Sequence, residues 1–245
     1  MEQLGIDIGG TGIKGAIVNT TTGERITERV RIKTPQPATP EAVIETARKV
    51  KEELGWQGSA GFGFPAAIRN GIVKTASNIA KEWIGKPIND LFTHALGAPA
   101  RVVNDVDAAG VAEMSFGRGR EHSGSGSVMM IALGTGIGSA LFTEGHLVPN
   151  TELGHLILHN QAAELYVSNR VRETQDLNWQ EWGLRLNEYL NMLNDRFWPD
   201  LIILGGGVSK KFDRFAKYLE VEAEVVPANL RNHAGIVGAA MIAPK

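Results

Sequence analysis

The sequence predicts an α/β protein built from two halves of one plan. Two observations carry that expectation. Apolar, strand-like runs alternate with stretches of helical period along the whole chain. The glycine turn GTGIKGAIV at residues 10–18 also returns as GTGIGSALF at residues 134–142, half a chain length further on. Each copy follows an apolar run and precedes a polar turn, as expected when one supersecondary unit opens each of two domains. A third observation bears on function: the 245 residues include 29 glycines, clustered and without any low-complexity tract, which points to backbone that closely approaches a ligand.

The first element is LGIDIGGTGIKGAIV, residues 4–18. Gly10, Gly12 and Gly15 match the G-x-G-x-x-G spacing of a dinucleotide fingerprint, and glycines with a lysine resemble a P-loop, but both motifs need a helix next. Instead Ala16-Ile17-Val18 runs into the turn NTTTG (19–23), and RITERVRIK (25–33) then alternates like another strand. The glycines therefore sit in a hairpin, which also carries Asp7, Thr11 and Lys14, more than a structural turn needs. From Pro40 to Leu54, the spacing of Val43, Ala47, Val50 and Leu54 predicts a helix. SAGFGFP (59–65) and ARVVND (100–105) read as buried strands, and DAAGVAEMSF (107–116) as a helix. In the second half Trp182, Leu186, Tyr189, Leu190, Leu193 and Phe197 form a helical stripe that Pro199 terminates, and those aromatics are read as core. DLIILGGGVSKKF (200–212) reads as a strand, a glycine turn and a helix start, and AGIVGAAMIA (234–243) as a small-residue helix able to pack closely.

Composition excludes several classes. With no cysteine there can be no disulfide, Cys-zinc site or thiol catalysis, which fits a reducing cytoplasm. No run approaches the roughly 18 apolar residues of a membrane span, and the start MEQLGID lacks the basic residues of a signal peptide. The expectation is a cytoplasmic protein with no membrane partner. A net charge of −2 argues against a broad nucleic-acid-binding surface.

Several side chains have two readings. Asp105 follows an apolar strand and precedes a helix, where open α/β sheets present ligand-binding groups. A carboxylate there either accepts a proton from a reacting hydroxyl or caps the helix, and Asp107 competes for the cap. Glu152 and His155 in ELGH are three apart and share one side of a helical turn, either as a polar fan for sugar hydroxyls or as an exposed pair. His159 reads as solvated or capping rather than as a metal ligand. The cations Arg118, Arg120, Lys210, Lys211, Arg214, Lys217 and Arg231, with His233, are either solvated faces or a track for a polyanion.

The segments DIGGTGIKGAIV (7–18), GFP (63–65), VNDVDAAGVAE (103–113), ALGTGIGSAL (132–141), ELGH (152–155), LGGGVSK (204–210) and AGIVGAA (234–240) stand in the order seen in the ROK sugar kinases. The chain resembles that family over nearly its whole length. The resemblance implies an actin-like (hexokinase/Hsp70-type) fold of two ribonuclease H-like domains with a central cleft, expected at residues 1–105 and 106–245, the last helix packing back onto the first domain. It implies phosphoryl transfer to the 6-hydroxyl of glucose, with Asp105 as base and Asn78, Asn104, Asp105, Glu152, His155 and Glu164 as sugar contacts. Gly9, Gly10, Thr11, Gly12, Lys14, Gly134, Thr135, Gly136, Gly206 and Gly207 would hold phosphate, and Asp7 would hold Mg²⁺. Many members carry a Cys-rich zinc motif after ELGH. Here the segment reads LILHNQAAELYVSNRV, so no structural zinc is expected.

That departure is shared by polyphosphate-using relatives, and the resemblance implies polyphosphate as donor with ATP as a second one. Arg118, Arg120, Lys210 and Lys211 would form the polyphosphate track, in a homodimer. An ATP-dependent glucokinase or glucomannokinase is the alternative. Regulators of the same family carry an amino-terminal helix-turn-helix, whereas this chain reaches its first core strand by Leu4. An actin- or Hsp70-like ATPase that moves partners is disfavoured by ELGH.

Overall fold

The computed structural model describes residues 1–245 apart from Asn78, and describes Asn232 by its backbone alone. The chain forms two compact units, residues 1–116 with 233–245, and residues 117–232.

In the first unit, β1 (Glu2–Ile8) and β2 (Ile13–Asn19) form the expected antiparallel hairpin, in which Asp7 faces Lys14 and Ile8 faces Ile13. The expected strand over 25–33 is shorter: β3 spans Val30–Ile32, and Arg25 makes only an isolated bridge with Val18. Helix α1 (Pro40–Glu53) starts where Thr39 accepts from the Ala42 N–H at 3.4 Å, and it buries Val43, Ala47 and Val50 as the spacing requires. Strand β4 (Ala60–Phe64) is buried throughout and pairs parallel to β1. The two-residue strands β5 (Ile68–Arg69) and β6 (Ile72–Val73) form a small ladder before α2 (Ile88–Leu96). Strand β7 (Ala100–Asn104) adds parallel to β4 and leads directly into α3 (Asp105–Phe116), giving the sheet order β3-β2-β1-β4-β7.

The second unit repeats the sheet. Strands β8 (Ser127–Leu133) and β9 (Ile137–Thr143) form the second glycine hairpin, and β10 (His146–Val148) extends it. A 3₁₀ turn at Leu153–His155 precedes the short pair β11 (Ile157–Leu158) and β12 (Gln161–Ala162). The helices α4 (Glu164–Val167), α5 (Asn169–Thr174) and α6 (Trp179–Phe197) follow. Asn178 and Glu181 make a reciprocal capping box at the start of α6. Trp182, Leu186, Tyr189, Leu190 and Leu193 of α6 are fully buried, and the helix stops at a left-handed Trp198 before Pro199. Burying each such large apolar side chain contributes roughly 1.5–3 kcal/mol. Strand β13 (Leu201–Gly205) pairs parallel to β8, then come a 3₁₀ turn at Gly207–Lys211, the short α7 (Phe212–Phe215) and β14 (Glu224–Pro227). The sheet order is β10-β9-β8-β13-β14.

The last helix, α8 (Ala234–Met241), returns to the first unit. Its small residues explain how: a side chain at Gly5 or Gly61 would collide with the backbone of α8, and one at Gly238 with the backbone of α3. Backbone thus packs on backbone at these three positions. Because α3 lies against α8, the first unit runs to Phe116 and then resumes at His233, so the boundary expected at residue 105 moves by one whole helix. No helix among the described residues is long and apolar enough to cross a membrane.

Candidate active site

In the first unit the side chains expected to bind ligands gather at the carboxyl ends of the parallel strands, where open α/β sheets hold ligands. Asp7 is in register with Gly63 of β4, and Gly63 with Val103 of β7, so Asp7 and Val103 lie two strands apart, about 10 Å by strand spacing, and Asp105 follows two residues beyond Val103 at the start of α3. Lys14 Nζ stands 3.1 Å from Asp7 Oδ2. On the other side, α8 presents Gly235, where a Cβ would come 3.2 Å from Asp7 Oδ1, so only glycine keeps that oxygen uncrowded. The turn itself closes with Gly9 N–H donating to the Gly12 carbonyl at 3.1 Å.

The hairpin glycines are not there for positive φ. None of Gly9, Gly10, Gly12, Gly134 or Gly136 adopts a left-handed φ. A side chain at Gly10 or Gly134 would meet nothing within 4 Å, so both turns are open on that side, although the Gly134 N–H is itself spent on the Gly136 carbonyl at 3.0 Å. At Gly12 a Cβ would fall 2.8 Å from Arg31 Nε, and Arg31 Nη2 also donates to the Thr11 carbonyl at 3.3 Å. Gly206 differs, with φ +82° and no room for a side chain beside the Leu133 carbonyl, whereas Gly207 has open space.

Asp105 is half-buried at the start of α3, with its Oδ1 3.0 Å from the Val106 N–H. The expectation that Asp107 would cap α3 fails. Asn104 Oδ1 accepts from the N–H groups of Val106 (2.8 Å) and Asp107 (3.1 Å), and Asn104 Nδ2 donates to the Ala66 carbonyl at 3.3 Å. Asn104 is thus committed to the cap as well as being an expected sugar contact, since the residue just before a helix is best placed to reach its free N–H groups. Asn78 lies outside the described residues.

In the second unit Glu152, His155 and Glu164 come together. His155 Nδ1 is 3.7 Å from Glu152 Oε2 and its Nε2 is 3.7 Å from Glu164 Oε1. Their side chains are 34%, 49% and 29% exposed respectively, open enough for a ligand to reach. The chain builds this fan with two glycines. Gly154 lets the 3₁₀ turn press on the Ile137 backbone, and Leu153 N–H donates to Ser139 Oγ at 2.9 Å. Gly136 leaves room for Glu164, whose Oε2 accepts from the Ile137 N–H at 3.3 Å. Thr135, between the two turn glycines, is exposed. His159 is exposed, as expected, and bonds Glu188 Oε2 at 2.7 Å, and Tyr166 also donates to that carboxylate at 3.2 Å.

Sequence reasoning missed Tyr189. It belongs to the core stripe as expected, but its hydroxyl has no hydrogen-bond partner among the described residues. Burial, and then the negative charge of Glu164, push this phenol well above its ordinary range. The one signal available was a tyrosine where phenylalanine would fill the stripe. Arg31 and Gly235 were missed as well, because each reaches the first hairpin from a distant part of the chain.

The cations expected to form a track are spread over different roles. Arg118, Arg120, Lys210 and Lys211 are exposed. Arg214 lies 5.9 Å over the Trp179 ring and Lys217 5.1 Å over the Tyr218 ring, so those two cover aromatic faces.

The ROK family model matches residues 3–166. The chain is 44% identical over 239 residues to a polyphosphate glucokinase of Mycobacterium tuberculosis, covering 97% of this chain and 89% of that one. It is 41% identical to a polyphosphate glucokinase of Mycobacterium leprae, covering 97% of this chain and 73% of that protein. Among solved structures, the inorganic polyphosphate/ATP-glucomannokinase of Arthrobacter sp. strain KM superposes with a TM-score of 0.92 at 45% identity, covering 98% and 97% of the two chains. A ROK glucokinase of Streptomyces griseus, solved with glucose and AMPPNP, shares the fold with a TM-score of 0.82 at 23% identity over 99% of both chains. The two-sheet α/β plan is the actin-like fold of these sugar kinases, and the chain belongs to the ROK family.

Proposed function

We propose that this chain transfers a phosphoryl group from inorganic polyphosphate to the 6-hydroxyl of glucose, giving glucose 6-phosphate, with ATP as a second donor. The observation that carries this reading is the fan of Glu152, His155 and Glu164 over Gly136, in a chain 44% identical to a polyphosphate glucokinase. Two carboxylates and an imidazole satisfy several hydroxyls at once, and a site built for particular hydroxyls rejects a sugar that leaves them unpaired. Asp105 accepts the proton of the 6-hydroxyl as its oxygen attacks phosphorus, and the shortened polyphosphate or ADP departs. Asn78 and Asn104 add sugar contacts in this reading.

The turns of Gly9, Gly10, Thr11 and Gly12, and of Gly134, Thr135, Gly136, Gly206 and Gly207, hold phosphate in this reading, with N–H groups other than those of Gly9 and Gly134, which close the turns, donating to its oxygens and Lys14 adding charge. Asp7 fits a hard cation, since Gly235 leaves its Oδ1 uncrowded and Lys14 engages only Oδ2. Asp7 would hold Mg²⁺ together with donor oxygens, and the ion supplies positive charge against the phosphates. Arg118, Arg120, Lys210 and Lys211 extend the donor site. We further place the protein in the cytoplasm, as a homodimer, without structural zinc.

Initial rates of glucose 6-phosphate formation with polyphosphate and with ATP, side by side, test the donor. Turnover with ATP alone would leave an ATP-dependent glucokinase. Mannose belongs in the same assay, because the Arthrobacter relative is a glucomannokinase by name.

A further inference from the structure

The segment that follows β2 carries Arg25, Arg29 and Arg31 within seven residues. It runs along β2 at the edge of the first sheet. Arg25 bridges Val18, the Ile26 N–H donates to the Ile17 carbonyl at 2.8 Å, the Ile17 N–H donates to Thr27 Oγ1 at 3.1 Å, and Arg31 is in register with Lys14. Arg31 lies against the phosphate turn itself, over Gly12 and on the Thr11 carbonyl. Arg25 and Arg29 sit near His233, whose imidazole is held below its ordinary value by burial and then by these two guanidiniums. His233 directly precedes α8 and stands two residues before Gly235, which abuts Asp7. The cations therefore lead outward from the phosphate turn within one unit.

None of the three guanidiniums pairs with a carboxylate among the described residues. Glu24 and Glu28 alternate with them in sequence, yet Glu24 accepts from Thr22 Oγ1 instead. Arginine is the side chain whose planar fork matches phosphate oxygens two at a time. Like charges gathered without counter-charge repel one another, and a polyanion relieves that repulsion along the whole row. A nucleotide brings only three phosphates and a base, so it engages the turn without needing the outer members.

We propose that Arg31, Arg29 and Arg25 bind the polyphosphate chain beyond the reacting phosphate, forming a donor track on the first unit separate from Arg118, Arg120, Lys210 and Lys211. This rests on the reading that polyphosphate is a donor. The competing explanation is an edge strand kept from pairing with other sheets by its charges.

The test measures KM for long-chain polyphosphate, for ATP and for glucose in the wild type, in Arg25→Gln/Arg29→Gln, and in Arg25→Lys/Arg29→Lys. The glutamine pair is expected to raise KM for long polyphosphate about tenfold at low salt, with a far smaller change for ATP and glucose. The difference shrinks as salt rises, because exposed contacts are screened beyond roughly 8–10 Å. The lysine pair, which preserves edge charge but loses the fork, falls between. Equal loss with both donors, or no loss with either, overturns the track. If the wild type uses polyphosphate and the glutamine pair is unchanged, the track alone fails. A wild type that turns over ATP and no polyphosphate overturns the donor reading and the track with it. A thermal melt of each variant separates misfolding from lost binding.

Discussion

The hairpins β1–β2 and β8–β9 share an antiparallel plan but differ in turn length, residues 9–12 in the first and 134–136 in the second, and in charge. Both close with an N–H to carbonyl bond across the turn, Gly9 to Gly12 at 3.1 Å and Gly134 to Gly136 at 3.0 Å. The first is flanked by the Asp7–Lys14 pair and by Arg31. The second has only uncharged residues, Ala132-Leu133 and Ile137-Gly138, at its strand ends, and is met by Glu164 from α4 and by the Arg170 N–H of α5, which donates to the Gly134 carbonyl at 3.1 Å. In the proposed reading one hairpin plan is put to two uses: an anion- and cation-handling turn in the first unit, and in the second a turn that seats a sugar-binding carboxylate. The repeat in the sequence predicts the shared antiparallel plan, and only the flanking side chains set the two turns apart.

The comparison breaks first at the chemistry. Asp105→Asn in the first unit is expected to cut kcat by roughly 10² or more while glucose KM stays nearly constant, because proton acceptance alone is lost. Steady-state kinetics check it, and near-normal turnover would remove Asp105 from the role of base.

A matched pair of substitutions sharpens the contrast. Gly136→Ala pushes a methyl into Glu164 Oε2, the mobile end of a side chain, so the carboxylate moves and the fold survives. Glucose KM should rise about tenfold, the worth of roughly one strong hydrogen bond. Gly10→Ala meets nothing within 4 Å and should leave glucose KM unchanged while raising KM for the donor. If both substitutions disturb the same substrate, the two turns do not have separate tasks.

Tyr189→Phe asks what the orphan hydroxyl under Glu164 is for. Removing an unsatisfied buried hydroxyl should leave stability unchanged or raise it by about 1 kcal/mol, measured by denaturant unfolding. A loss of more than that would mean the hydroxyl is satisfied in solution.

The smallest effect concerns His233. Its imidazole should titrate below its ordinary 6.5, by burial first and by Arg25 and Arg29 next. The unfolded chain then binds more protons than the native one in the window below 6.5, so stability falls as pH is lowered through that window. Arg25→Gln/Arg29→Gln should move the imidazole back toward 6.5, which proton NMR of the His233 ring reads directly. An unmoved titration would show that burial alone sets it.

Local pattern made much of this legible. The α6 stripe, the β4 and β7 strands and both hairpins follow from periodicity and turn chemistry that a dozen residues contain. Glu152 and His155 were legible too, because three residues of one turn separate them. What the sequence hid depends on contacts between distant segments. Arg25 and His233 are neighbours across nearly the whole chain, and no spacing records that. The role of Asn104 was hidden differently. Asn104, Asp105 and Asp107 can all cap a helix, and only the exact start of α3 decides which one reaches the free N–H groups. The domain boundary was misplaced because α3 has no amphipathic stripe. Val106, Ala108, Gly110 and Ala112 are buried around its circumference, so nothing in its sequence marks which half it joins.

The return of α8 gives synthesis a direction. A ribosome releases the first strands of the leading unit early, yet their outer layer arrives only after the entire second unit has been made, so the second unit can fold while the first still waits. Gly5 and Gly61 are bare until α8 covers them, and Asp7 lacks its Gly235 neighbour until then. A nascent chain that stalls before residue 234 would keep an uncovered sheet face and an unfinished surround for Asp7, whatever the state of its second unit.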